Sequence, residues 1–411
     1  MVRNLPALDH FEVRVEKDTI AFTETSKIFV QAKDAEGQDI ELDGSTLLKF
    51  ELLGEWAYGT FIKPSGDTLK TTPVELENIR YDDARSGKVQ VAAVAANPEV
   101  SAQPLVRVSL MDDETKSGEE KIVVVEQRLR IVMGAPLDVQ PVIPPATVNA
   151  PRAENRKPFT VRLTRAGQPV PNHQFRLTTD YVDGSGGHDH LVPRRTDSRE
   201  NYGHFILVRT GGHHERPYEG QTQADGQERF DYVASIWGDL MKISVESVVN
   251  RLLKDSVTVA ERVPGLIGLG PGQHYELVGA PHNHAGTNDP CRHAPPTSQH
   301  SRNHFGTAAL ISAIQNIAAS YDSLDPGVRL RINDMSLPLG GLFDFENSWQ
   351  VPHREHRVGR NADIGFSGIG SNGRCIERLN LQRLSEIIET YTDDDPYTHR
   401  GDSPHYHIRV R

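Results

Sequence analysis

From Phe11 to about residue 248 the chain repeats one device, short runs in which apolar and polar residues alternate. Phe11-Glu12-Val13-Arg14-Val15 and Lys27-Ile28-Phe29-Val30-Gln31-Ala32 open the series. Lys88-Val89-Gln90-Val91-Ala92-Ala93-Val94 and Lys121-Ile122-Val123-Val124-Val125 continue it. Successive side chains of a strand point to opposite faces, so a period of two buries one face and wets the other. Such a ribbon cannot hide its apolar face alone and needs a second sheet against it. Turn-forming groups such as Ala35-Glu36-Gly37 and Pro64-Ser65-Gly66-Asp67 separate the runs. Many short strands at regular spacing predict an antiparallel sandwich over residues 1–135.

The stretch from Pro136 to Pro151 holds five prolines and no helical period, and reads as a stiff linker. The β pattern resumes over residues 152–262. There Thr160–Thr164, a turn at Ala166-Gly167-Gln168-Pro169 and Gln174–Leu177 predict a hairpin, followed by strands at Arg229–Ala234 and Lys242–Val248. In composition both segments resemble the immunoglobulin-like modules of bacterial surface proteins. Pro264-Gly265-Leu266-Ile267-Gly268-Leu269-Gly270-Pro271-Gly272 marks the next boundary. Beyond it, Thr307–Tyr321 and Asn380–Tyr391 carry apolar residues at helical spacing, while Val328–Ile332 and His405–Val410 alternate as strands. The expected class is therefore multidomain: two all-β immunoglobulin-like sandwiches, then an α+β domain over residues 270–411.

A net charge of −11 argues against a nucleic-acid binder, which needs cations to neutralise phosphates. No apolar run approaches the roughly 20 residues of a membrane-spanning helix. Met1-Val2-Arg3-Asn4-Leu5-Pro6 shows no apolar signal region, so a soluble chain without an export signal is expected from these residues. Cys291 and Cys375 are the only cysteines; they leave one disulfide open and make no zinc knuckle.

Histidine is distributed unevenly: eleven of 18 lie from His274 onward. Two groups there stand at ligand-like spacings, His353-Arg354-Glu355-His356 running on to Asp363, and His405-Tyr406-His407. His356 and Asp363 are too far apart for one helix face, and Gly359 between them suits a loop that returns both to one point. His405 and His407, two apart on a strand, share a face. His356, Asp363 and His407 would form a three-ligand Zn²⁺ site with an open fourth position, and such an ion lowers the pKa of bound water and polarises carbonyls. His405 would stand beside the metal as acid, base or oxyanion partner. The bland alternative is a scatter of surface histidines.

These residues carry a resemblance. Asp334-x-Ser336-x-Pro338-x-Gly340-Gly341, then His353-x-x-His356-x-x-Gly359-x-x-x-Asp363-Ile364, then His405-x-His407, look like the motifs of the penicillin-insensitive murein endopeptidases within the lysostaphin and D-Ala-D-Ala peptidase group. Arg357 and Asn361 depart from residues usual there. The resemblance implies a zinc metallopeptidase that hydrolyses peptidoglycan cross-links, with His356, Asp363 and His407 on Zn²⁺. It gives His405 a place beside the catalytic water and His353 one lining the site. It further implies action in the periplasm or outside the cell, on a peptidoglycan or peptide substrate; it covers about residues 270–411 and says nothing of the β modules, which would position that domain or bind a protein partner. Two alternatives stand beside it: a non-enzymatic surface adhesion or binding protein on a peptidase-derived scaffold, and a zinc peptidase for proteins or free peptides.

Other polar residues divide between function and structure. His304 would either line the cleft or hydrogen-bond in the core. Asp334 and Ser336 would orient a ligating histidine or belong to an ordinary turn. His282 and His284, and Asp393-Asp394-Asp395, read as solvated loops. In the middle segment His188, His190, His204, His213 and His214 lie among glycines, as a second metal cluster or as exposed loop histidines.

Overall fold

The structure is a computed structural model that describes residues 7–22, 24–54, 59–68, 74–93, 101–188, 199–278, 302–344, 352–353, 356–392, 397–399 and 405–411. In the first part, His10–Val15, Thr25–Lys33, Gln90–Ala93 and Gly59–Ile62 form one four-stranded sheet. Glu75–Arg80, Leu47–Leu53, Leu105–Leu110 and Ser117–Lys121 form another. The inward members of the alternating runs, among them Phe11, Val13, Ile28, Val30, Phe50 and Val91, share one core. Helix α1 (Tyr81–Arg85) is a single turn beside it.

The strand Gln127–Met133 pairs antiparallel with Arg156–Arg165 and so joins the sheet that follows the proline-rich stretch. That stretch is no free spacer. Asp138–Val139 pairs with Ala260–Glu261, and Val142, Ala146 and Val148 are buried against Ile206 and Val233. The apolar residues between its prolines seat it on the middle module. The expected hairpin is also corrected. Ala166 and Gly167, both at positive φ, make a tight turn, and Gln168–Pro169 folds back on Thr164–Arg165. Gln174–Tyr181 then crosses to the opposite sheet, pairing with Leu240–Ser247 and Tyr218–Gln221. Phe159, Phe175, Phe205 and Phe230 fill the space between the two sheets. Helix α2 (Arg199–Tyr202) is again one turn.

The last part is built on a six-stranded sheet, ordered Tyr275–Leu277, Arg329–Ile332, Asn361–Ile369, His405–Arg409, Tyr397–His399, with Cys375–Ile376 also on Asn361–Ile369. Helices α3 (Ala308–Leu324) and α4 (Leu381–Tyr391) form where the helical period predicts them, capped by Thr307 and Asn380. Their apolar stripes, Leu310, Ile314 and Ile317 with Leu384 and Ile388, pack with Ala362, Ile364, Tyr406 and Ile408. Alternation turns Asn361, Asp363, His405 and His407 to the other face.

The expected class, two immunoglobulin-like sandwiches followed by an α+β zinc-peptidase-like domain, is corrected at this point. Strands run through all three parts, and the described residues contain four α-helices, two of them only 5 and 4 residues long. A helical period over one short stretch reports that stretch and not the domain around it, and the peptidase-like domain rested on motifs alone.

Candidate metal centre

Asp363 and His407 are direct partners in the antiparallel ladder between Asn361–Ile369 and His405–Arg409. Cross-strand partners share a face at close range, and His407 Nδ1 lies 2.9 Å from Asp363 Oδ1. His405 is paired with Gly365, one step along the same face, and its Nε2 lies 3.5 Å from Asp363 Oδ2. His356 arrives from a turn just before the strand. Gly359, at φ 67°, reverses that turn, and a Cβ there would stand 2.2 Å from Leu266 Cδ2. The Gly359 carbonyl accepts from Thr307 N at 2.7 Å, tying the turn to the start of α3. His356 Nε2 then sits 3.4 Å from Asp363 Oδ1, and the His356 and His407 rings meet edge to face with centroids 5.1 Å apart.

The chosen ligand atoms of His356, Asp363 and His407 all lie within 4.8 Å of one another. Ligands 2.0–2.1 Å from a tetrahedral Zn²⁺ stand about 3.3 Å apart, so the set fits such an ion after small adjustments. The donor chemistry fits too, two imidazoles and one carboxylate. His356 Nδ1 donates to the Asn361 carbonyl at 3.3 Å, which leaves Nε2 for the metal. His356 is fully buried and Asp363 nearly so. Burial opposes charge on His356, but the Asp363 carboxylate beside it prevails and raises its pKa. Burial would likewise raise Asp363, yet His356, His407 and His405 hold it well below the usual carboxylate range. The cluster is thus a compensated charge centre, and a cation there would take the place of a proton.

Asn361 belongs to the site, although the sequence marked it only as a departure from a motif. Its side-chain Nδ2 lies 2.8 Å from His407 Nε2. With metal on Nδ1, His407 carries its proton on Nε2, and a half-turn of the Asn361 amide presents the oxygen that accepts it. Strand alternation held the signal, since Asn361 is two residues from Asp363. Asn361→Ala is expected to weaken zinc binding by about 10–100-fold with the fold intact. Competition with a chromophoric chelator measures it, and an unchanged affinity would remove Asn361 from the site.

The other candidates fall elsewhere. Pro352–His353 pairs its backbone with Phe343–Asp344, and the His353 side chain lies outside the described structure. His304 is a core residue, its Nε2 3.2 Å from the carbonyls of Val278 and Ile332, with burial lowering its pKa. Asp334 accepts from Asn303 through its side chain and from Asp363 N through its carbonyl. It touches the site by field, helping to raise His356. Ser336 pairs through its backbone with Phe305 and makes no side-chain hydrogen bond among the described residues. His282, His284 and Asp393-Asp394-Asp395 lie outside the described residues.

The middle histidines do not form one cluster. His188 packs on Trp237, His214 lies against Tyr218, and His190 is outside the described residues. His204 and His213 stack, with Nε2 and Nδ1 2.7 Å apart. Burial first, then the charges of His213, Arg199 and Arg156, push His204 down to about 3. The unfolded chain takes up this proton near pH 6.5 and the folded one near 3. This contribution to stability is complete above about pH 6.5 and is lost as pH falls through that window, by up to about 1.4 kcal/mol per pH unit. His204→Leu is expected to flatten that part of the urea-stability profile; an unaltered slope would assign the acid sensitivity elsewhere.

No family model matches the chain, and no curated protein matches it either. Among solved structures it is similar to FdeC, an Escherichia coli adhesin, at 11% identity and a TM-score of 0.28, over 62% of this chain and 65% of that one. The chain thus spans just under two thirds of that structure. It is also similar to the Yersinia pseudotuberculosis adhesin InvE at 9% identity and a TM-score of 0.27, over 100% of both chains. The bacterial integrin-binding protein invasin matches at 10% identity and a TM-score of 0.23, over 90% of this chain and 60% of invasin. At these scores the likenesses carry no function across.

The resemblance to murein endopeptidases is corrected by the same comparisons. No peptidase family model matches the chain, and neither does any curated peptidase. The zinc metallopeptidase and the peptidoglycan hydrolase reaction fall with it. The physical reason lies in the motif. Two histidines and an aspartate at these spacings report donors brought to one point, and the same donors serve structural and binding sites as well as hydrolysis.

Proposed function

We propose that the chain is a non-enzymatic binding or adhesion protein of the cell exterior, carrying Zn²⁺ on His356 Nε2, Asp363 Oδ1 and His407 Nδ1. The observation that carries the metal reading is the convergence of those three side chains, two in ladder register and the third buried above them. Three protein ligands leave a fourth position for a donor from a bound partner. Most of the described chain is β module, which presents surface and offers no second cluster of three or more metal-ligating side chains among the described residues.

Cys375 is disulfide-bonded, which suits an oxidising compartment outside the cytoplasm. Among the described residues no helix is long and apolar enough to cross a membrane. Thiol titration of the denatured protein is expected to find no free thiol before reduction. Two free thiols in the protein as isolated would contradict the exterior assignment.

The test is metal analysis of the purified chain together with binding of the labelled protein to cells, with and without chelator. About one zinc per chain and chelator-sensitive binding are expected. Protein without zinc would overturn the metal site, and release of soluble fragments from murein sacculi, lost in His356→Ala, would overturn the non-enzymatic reading.

A further inference from the structure

Two of the three ligands ride in a β ladder, but His356 does not. It lies in a turn whose position must come from what packs against that turn. One side is the start of α3, through Thr307 and Gly359. The other side is the turn Leu337–Leu342, whose Gly341 N donates to the Arg357 carbonyl at 2.8 Å, one residue from His356.

That turn is itself held by the middle β module. Trp237 forms β-bridges with Gly341 and Leu342, and Leu342 N donates to the Ile236 carbonyl at 2.9 Å. Val263 N donates to the Leu339 carbonyl at 2.8 Å. Trp237 and Leu342 are buried together, with Ile236 packed on them. Glycines make this approach possible. A Cβ on Gly238 would stand 2.1 Å from the Gly340 oxygen, and one on Gly341 would stand 2.3 Å from Gly238 N. A Cβ on Gly187 would meet Pro338 Cδ at 2.7 Å. At Gly238 and Gly341 backbone lies on backbone, where no side chain can yield to relieve an overlap.

We infer that the middle β module positions the metal site: Ile236-Trp237-Gly238 clamps the Leu337–Leu342 turn and thereby sets the height of His356 over Asp363 and His407. The proposal rests on the metal-site reading and extends it to a module that contributes no ligand. Gly238 is a positioning residue. Its φ is not positive, so a substitution there acts through steric overlap alone. An added methyl must push Gly340 away, and Gly341 and Arg357 move with it.

The test uses the full chain. Gly238→Ala is expected to weaken zinc binding by roughly tenfold or more, to change the ligand-field spectrum of the Co²⁺-loaded protein, and to speed amide hydrogen exchange at residues 356–360. Leu177→Ala, a truncation in the middle module's own core away from this contact, is expected to lower thermal stability while leaving zinc affinity and the Co²⁺ spectrum unchanged. Equal zinc affinities in Gly238→Ala and parent, or equal losses in Leu177→Ala and Gly238→Ala, would overturn the proposal. If Gly238→Ala does not fold, Trp237→Leu carries the same test without backbone overlap and with a smaller shift in the same direction. A parent chain that binds no zinc overturns the metal reading instead. Hydrogen exchange at residues 356–360 then decides the coupling by itself, and unchanged exchange sinks it.

Discussion

Asp363→Ala is expected to abolish stoichiometric zinc binding and to destabilise the metal-free protein by about 3–5 kcal/mol. Both effects follow from one position. In the proposed site the carboxylate would supply the anionic ligand, and without metal it lies 2.9 to 3.5 Å from ring nitrogens of His356, His405 and His407. Removing it takes the contacting carboxylate from the buried His356 and leaves only the Asp334 field and the Asn361 carbonyl to favour its charge, the costly half of breaking a buried ion pair. Asp363→Asn keeps the shape and should retain more stability than alanine while still losing zinc. Elemental analysis and urea unfolding of the metal-free protein measure the two effects. Near-parental zinc in Asp363→Ala would discard this ligand set.

Phe230→Ala is expected to cost about 3–5 kcal/mol and to leave the metal centre untouched. Phe230 is fully buried, stacked on Phe159 with centroids 5.3 Å apart and edge-on to Phe175, Phe205 and Tyr218 at 6.2, 6.2 and 5.4 Å. A side chain wedged among four rings on two sheets leaves a cavity that rigid neighbours cannot close. The urea transition reported by Trp237 should move down by more than about 1 M. A loss below about 1 kcal/mol would mean that the sheets collapse onto the gap.

Much of this was legible in the chain because short-range periods are direct consequences of backbone geometry. The alternation at Phe11–Val15 and Lys27–Ala32 is a strand wherever one face is buried, and both runs are strands. The stripes in α3 and α4 are legible for the same reason. Two apolar runs flanking a turn, by contrast, do not say whether they pair with each other. Thr160–Thr164 and Gln174–Leu177 lie in opposite sheets, each paired with a strand more than 60 residues on in the chain, which no local pattern announces. The proline-rich stretch read as a spacer, since proline content reports stiffness while the seating of Val142, Ala146 and Val148 depends on a surface made elsewhere.

The site divides along the same line. Residue types and local spacing placed His405 and His407 on one face and gave His356 a returning turn through Gly359. These follow from the strand period and from a positive φ, which are properties of a few consecutive residues. Which residue stands opposite His407 is a matter of register between strands about 40 residues apart. The ladder alone decides that it is Asp363, with Asn361 behind it. The clamp of Trp237 and Gly238 on the His356 turn lies more than 100 residues from His356 in the chain, and no local period could announce it. Donor chemistry is written in the residues; where the donors meet, and what holds them there, is set by long-range packing that only the folded chain supplies.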